Sequence, residues 1–183
     1  MGDKYAVGLQ QTGVSTVAGA TGTDACGELQ AVTSVRPRVY DILFGQGGTP
    51  ADNVVRWEVP RATTSATGTA AVEVALDPGS PASDALTEEE ITSGPTVTAD
   101  SQLLDFDLNQ RATFRWVAAP GGEIVLPATA ANGIFLNCSS GAYTGIARVT
   151  VHWEERAPQD LGDDMRVGAF DCLWNNGLPS IDL

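Results

Sequence analysis

Histidine is almost missing from this 183-residue chain: His152 is the only one. That scarcity excludes the multi-histidine metal centres by which cupin-type barrels work, because several imidazoles must converge on one ion. It also leaves a Ser-His-Asp relay with a single candidate base and no evident orienting partner. The three cysteines, Cys26, Cys138 and Cys172, are odd in number and widely spaced. They form neither a disulfide framework nor a metal knuckle, and the expectation is reduced thiols in a protein assembled in a cytosol. Basic residues are scarce too, with 10 Lys and Arg against 23 Asp and Glu, a formal net charge of −13. Phosphate backbones and anionic membranes are bound by clustered cations, so neither nucleic acid nor membrane is an expected partner. No apolar run approaches the roughly 20 residues that cross a bilayer. The Met1-Gly2-Asp3-Lys4-Tyr5 start reads as neither a signal peptide nor a myristoylation site.

What the chain has in quantity is period-two alternation, the signature of half-buried strands. Val55, Trp57 and Val59 alternate with Arg56 and Glu58. Ala70, Val72, Val74 and Leu76 oppose Ala71, Glu73, Ala75 and Asp77. Ala112, Phe114 and Trp116 form a third apolar set, and Ala147, Val149, Val151 and Trp153 a fourth, opposite Arg148, Thr150, His152 and Glu154. The strand tryptophans Trp57, Trp116 and Trp153 are expected to be core anchors rather than a sugar platform. Weaker alternation follows Tyr5, Val7 and Leu9, Leu29 to Val35, Leu104 to Leu108, Ile124 to Leu126, and Ile134 to Cys138. Residues 39 to 44 are read as a doubly covered central strand. Gly and Pro clusters separate these segments, and Asn132-Gly133 is a hairpin signal. One stretch, Ser83 to Ile91, has capping-box spacing at Thr87 and Glu90 and predicts a single helical turn.

The pattern predicts an all-β fold: an antiparallel β-sandwich over residues 28–155. Two four-stranded sheets in a jelly roll fit the strand count better than an immunoglobulin-like sandwich. Residues 1–27 are expected to form an N-terminal arm or loop, and 156–183 a C-terminal tail. The carboxylates Asp105 and Asp107 read as the wet side of a strand, not as a glycosidase pair. The tail is acidic yet carries Phe170, Leu173, Trp174, Leu178 and Ile181, large apolar groups that need a surface to cover them. These five are the candidate partner-contact residues: the tail either packs back on its own domain or is an arm laid along a sister subunit or the capsid.

A stretch of strand and turn patterns carries a resemblance. It runs through Arg111-Ala112-Thr113-Phe114-Arg115-Trp116, Pro120-Gly121-Gly122-Glu123, Leu126-Pro127-Ala128-Thr129-Ala130-Ala131-Asn132-Gly133, Thr144-Gly145 and Val149-Thr150-Val151-His152-Trp153-Glu154-Glu155. It resembles the capsid decoration, or cement, proteins of tailed bacteriophages of jelly-roll type, over roughly residues 36 to 155. The resemblance implies a homotrimer on the outside of the virion, bracing major capsid protein subunits, with no cofactor and no catalytic residues. A phage tail-fibre or receptor-binding head domain, a carbohydrate-binding module and a small glycan-active sandwich are the other functions such a sandwich serves. The first lacks a fibrous shaft upstream, the second a signal peptide, and the third a carboxylate pair across a groove.

Overall fold

The computed structural model describes residues 2–14, 25–139 and 145–155. Twelve strands follow in chain order: β1 (Asp3–Val14), β2 (Ala25–Gln30), β3 (Arg38–Gly47), β4 (Val54–Ala62), β5 (Thr67–Ala70), β6 (Val74–Ala75), β7 (Leu86–Ser93), β8 (Val97–Asn109), β9 (Phe114–Val117), β10 (Ile124–Val125), β11 (Gly133–Ser139) and β12 (Gly145–Glu155). They make two six-stranded antiparallel sheets packed face to face, a β-sandwich. In the first sheet the order is β10-β3-β12-β1-β6, with β9 alongside β10 on the outer edge of β3; in the second it is β5-β7-β2-β11-β4-β8. The expected four-plus-four division is therefore replaced by six and six, since short edge strands extend both sheets.

The inward parity of each long strand builds the core. Tyr5, Val7, Leu9, Ile42, Phe44, Val149, Val151 and Trp153 face Leu29, Val55, Trp57, Val59, Ile134 and Leu136, all of them buried. Trp57 meets the ring of Phe44 edge-on at 5.1 Å, and Trp153 stacks on Tyr5 at 5.8 Å. Such aromatic pairs contribute about 0.5–1.5 kcal/mol beyond area burial.

Three expectations need correction. The N-terminal arm over 1–27 is instead sheet over much of its length. Residues 3–14 are β1, paired with β12 from Asp3↔Glu155 to Val14↔Gly145, and Ala25 opens β2. The physical cause is Tyr5, Val7 and Leu9, whose alternation supplies a buried face that an arm would leave in water. The single helical turn over 83–91 is the start of β7. Leu86–Ser93 pairs with β2 and β5, and exposed Leu86 stands between buried Ala85 and buried Thr87, an alternation that outweighs the capping-box spacing. Asn132-Gly133 is not a two-residue hairpin either. The reversal lies at 129–132, with Ala131 carrying the positive φ of 64°, while Gly133 is already in β11. A Cβ on Gly133 would stand 2.2 Å from the Leu29 carbonyl oxygen, so glycine is required there by the close approach of β2.

A second, smaller core lies on the outer side of the second sheet. Phe135 projects away from the sandwich interior and is buried with Ala25, Ala62, Ala66 and Ile91. The 63–66 and 94–96 loops close over it, joined by Thr63 N–H to the Thr96 carbonyl at 2.9 Å and Thr96 N–H to Thr64 Oγ1 at 2.7 Å. Beneath that cover sits Glu28, fully buried, its Oε2 accepting from Ala66 N–H at 2.7 Å and Gln30 Nε2 at 2.8 Å.

Candidate functional site

The segment 67–76 crosses from one sheet to the other along the open edge of the sandwich. Thr67–Ala70 pairs with β7, and Val74–Ala75 pairs with β1 at Ala6 and Tyr5. Hydrogen bonds from Ala71 N–H to the Thr87 carbonyl (3.0 Å) and from Leu76 N–H to the Lys4 carbonyl (2.8 Å) fasten it at both ends. Its odd residues face inward. Ala71 and Ala75 pack on the core, and Glu73 accepts from Thr87 Oγ1 at 2.6 Å. The even residues therefore point out: Val72 is 79% exposed, Val74 58% and Leu76 50%. The β5–β7 register, Ala70↔Glu88, continued by two residues places Leu86 beside Val72, and Leu86 is 55% exposed.

This overturns the expected parity of the segment, whose larger apolar side chains were assigned to the core. An edge strand crossing close over a core needs small inward residues, and the alanines meet that need; the bulky side chains go outward. Four neighbouring large apolar groups on one edge are more than the scattered single residues of an ordinary surface. They make this row the leading candidate contact surface.

The neighbouring edge of β1 is blocked differently. Beyond β6, its N–H groups at Gln10 and Thr12 donate to Glu89 Oε2 (3.0 Å) and Glu90 Oε2 (2.9 Å). Consecutive strand residues normally point to opposite faces. Here the positive φ of Glu90, 48°, turns the chain so that both carboxylates reach β1. Charged groups on an open edge prevent indiscriminate strand pairing. Glu89 also lines, with Gly8, Leu9, Gln10, Arg148, Val149 and Thr150, an open depression of about 370 Å³.

On the far edge of the first sheet, Leu43 and Val117 are exposed on either side of Arg115. Arg115 donates through Nε and Nη2 to both oxygens of Asp41, at 2.9 and 2.6 Å. His152 Nδ1 lies 3.4 Å from the same carboxylate, and its ring stacks on Tyr40 at 6.1 Å. His152 thus stands on the outer face, as its alternation predicts; Asp41 lies near it, but no hydrogen bond to its Nδ1 orients the ring among the described residues. Asp41 was hidden in the apolar run 39–44. The Arg115 hydrogen bonds hold the Asp41 carboxyl below its ordinary value. A carboxylate fixed this way by a bidentate guanidinium is a structural ion pair between β3 and β9.

The remaining candidates sort simply. Asp105 pairs with Arg56 across β4 and β8 at 2.9 and 2.7 Å, the wet side of a strand. Cys26 and Cys138 are buried in the core. Trp57 and Trp153 are core anchors, whereas Trp116 is only half-buried and Phe114 is exposed at the rim. Phe170, Leu173, Trp174, Leu178 and Ile181 lie outside the described residues. Among the described residues no group of three or more His, Cys, Asp or Glu side chains is placed to hold a metal ion, and no helix is long and apolar enough to cross a membrane. Comparison with protein-family models, curated proteins and solved structures yields no match.

Proposed function

We propose that this chain is a capsid decoration protein of a tailed bacteriophage, a homotrimer that sits on the outside of the virion and braces neighbouring major capsid protein subunits. The observation that carries the reading is the exposed apolar row of Val72, Val74, Leu76 and Leu86 on a sandwich edge. A protein-sized partner covers such a row; a small substrate does not. The strand-and-turn resemblance over roughly residues 36 to 155 and the two-sheet architecture support the same reading, and the jelly-roll ancestry of this sandwich is part of it. The net charge of −13 suits a protein that is held at high concentration before it docks, since mutual repulsion limits premature association. Threefold closure then multiplies a weak contact at each of many identical lattice sites. The reading assigns the chain no catalytic role and no cofactor, and a location on the virion after synthesis in the host cytoplasm.

The experiment is light scattering of the full chain, followed by co-pelleting with undecorated capsids. The expected results are a mass about three times that of one chain, and saturable capture by the capsids. A monomer at micromolar concentration that stays in the supernatant contradicts the proposal.

A further inference from the structure

We infer that the apolar row at 72–76 and 86 is the seat of the C-terminal tail of a second copy of this chain, with residues 170–174 as the seated segment. This rests on the trimeric reading above and assigns it a contact.

The row has a definite geometry. Val72, Val74 and Leu76 are exposed at every second residue, flanking and including the short strand β6. Strands β5 and β6 close the open ends of their sheets, so the backbone of this segment also has an edge to offer. An extended segment with apolar groups at the same period fits it, the mode by which a strand is added to a sheet edge. The sequence holds such a segment: Phe170, Cys172 and Trp174 share a face when extended, with Asp171 and Leu173 between them. In either chain direction the middle residue, Cys172, falls opposite the middle of the row, Val74.

The point where the chain leaves the sandwich puts a neighbouring copy within the tail's reach, and the trimeric reading assigns the tail to it. Glu155 ends β12, and its carboxylate is held by Ser83 Oγ, Asp84 N–H and Ala85 N–H, just before Leu86. The exit is therefore two strand spacings, about 10 Å, from β6 of its own chain. Fourteen residues separate Glu155 from Phe170. They reach about 50 Å when extended, far more than the gap to the chain's own row and enough to span a neighbouring domain. A tail-to-row contact joins two different surfaces, so it is heterologous and allows a closed ring of three, whereas a row-to-row contact gives a twofold dimer.

The test uses the full chain carrying Val74→Cys. Cys26 and Cys138 are buried, so the new thiol has Cys172 as its accessible partner. Chains labelled with heavy nitrogen and unlabelled chains are mixed, oxidised with oxidised glutathione and digested. The expected result is a 74–172 disulfide joining labelled to unlabelled peptides, with covalent species up to the trimer, abolished by Cys172→Ser. A second variant, Val72→Asp with Val74→Asp, alters only exposed positions. It should keep the circular dichroism of the parent and weaken self-association at least tenfold. A trimer in which the disulfide forms only within one chain, or does not form, overturns this inference and leaves the trimer standing. A chain that is monomeric without any substitution overturns both.

Discussion

Replacing Trp57 with alanine is expected to lower the unfolding free energy by about 3–5 kcal/mol, the usual cost of emptying a large buried aromatic site. The side chain is fully buried and touches Phe44, at the middle of the interface between the two sheets. Its indole N–H has no hydrogen-bond partner among the described residues. Trp57→Phe should therefore cost much less than Trp57→Ala, because the smaller ring removes an unsatisfied buried donor as well as some volume. Trp116→Ala, at the half-buried rim, should cost only about 1–2 kcal/mol, in proportion to the area it covers. Urea titration of the three variants checks the order. Equal losses for Trp57→Ala and Trp116→Ala would mean that β9 is packed as deeply as β4.

The second large effect is a pH dependence centred on Glu28. Burial beneath the 63–66 loop pushes its carboxyl from 4.5 up to about 7, against the lowering effect of the bonds from Ala66 and Gln30. Its register partner on β7 is Glu88, a like charge that raises it further, and each of the two carboxyls has one buried oxygen without a partner. The folded state thus prefers Glu28 protonated. Its favourable contribution is complete below pH 4.5, where both states carry the proton. It declines as the unfolded chain ionises, and is gone once pH has risen through about 7. The span corresponds to about 3 kcal/mol. Glu28→Gln keeps acceptors for Ala66 and Gln30 but cannot ionise. The variant should match the parent near pH 4.5 and exceed it above pH 7, read from denaturant midpoints across that range. Parallel curves for parent and variant would mean that Glu28 is solvated or paired with a cation.

How much of this was legible in the residues depends on what alternation can express. It separates two faces of a strand, and where one face is wholly apolar and the other charged, as in 55–59 and 147–153, the inward face follows directly. Along 70–76 both faces are largely apolar. The choice was made by how closely an edge strand crosses the core, and small Ala71 and Ala75 won over larger Val72 and Val74. At Phe114 and Trp116 the inward parity is correct, but β9 is only four residues long and lies at a sheet edge, so little covers it. Edge position is a property of the assembled sheet and has no local signal. Asp41 was concealed for a related reason: its partners Arg115 and His152 come from two distant strands. The apolar row, the site on which the functional reading rests, was visible as residues and invisible as a surface.

The central claim is that this chain belongs to a virion as one of its repeated structural parts. Quantitative mass spectrometry of purified, salt-washed phage particles from cultures that express this chain tests that proposal most directly, with the major capsid protein as internal standard. The account predicts a fixed copy number of the same order as the capsid protein, released only when the particles are disrupted. A chain that is absent from the particles, or present in a handful of copies per particle, would contradict it.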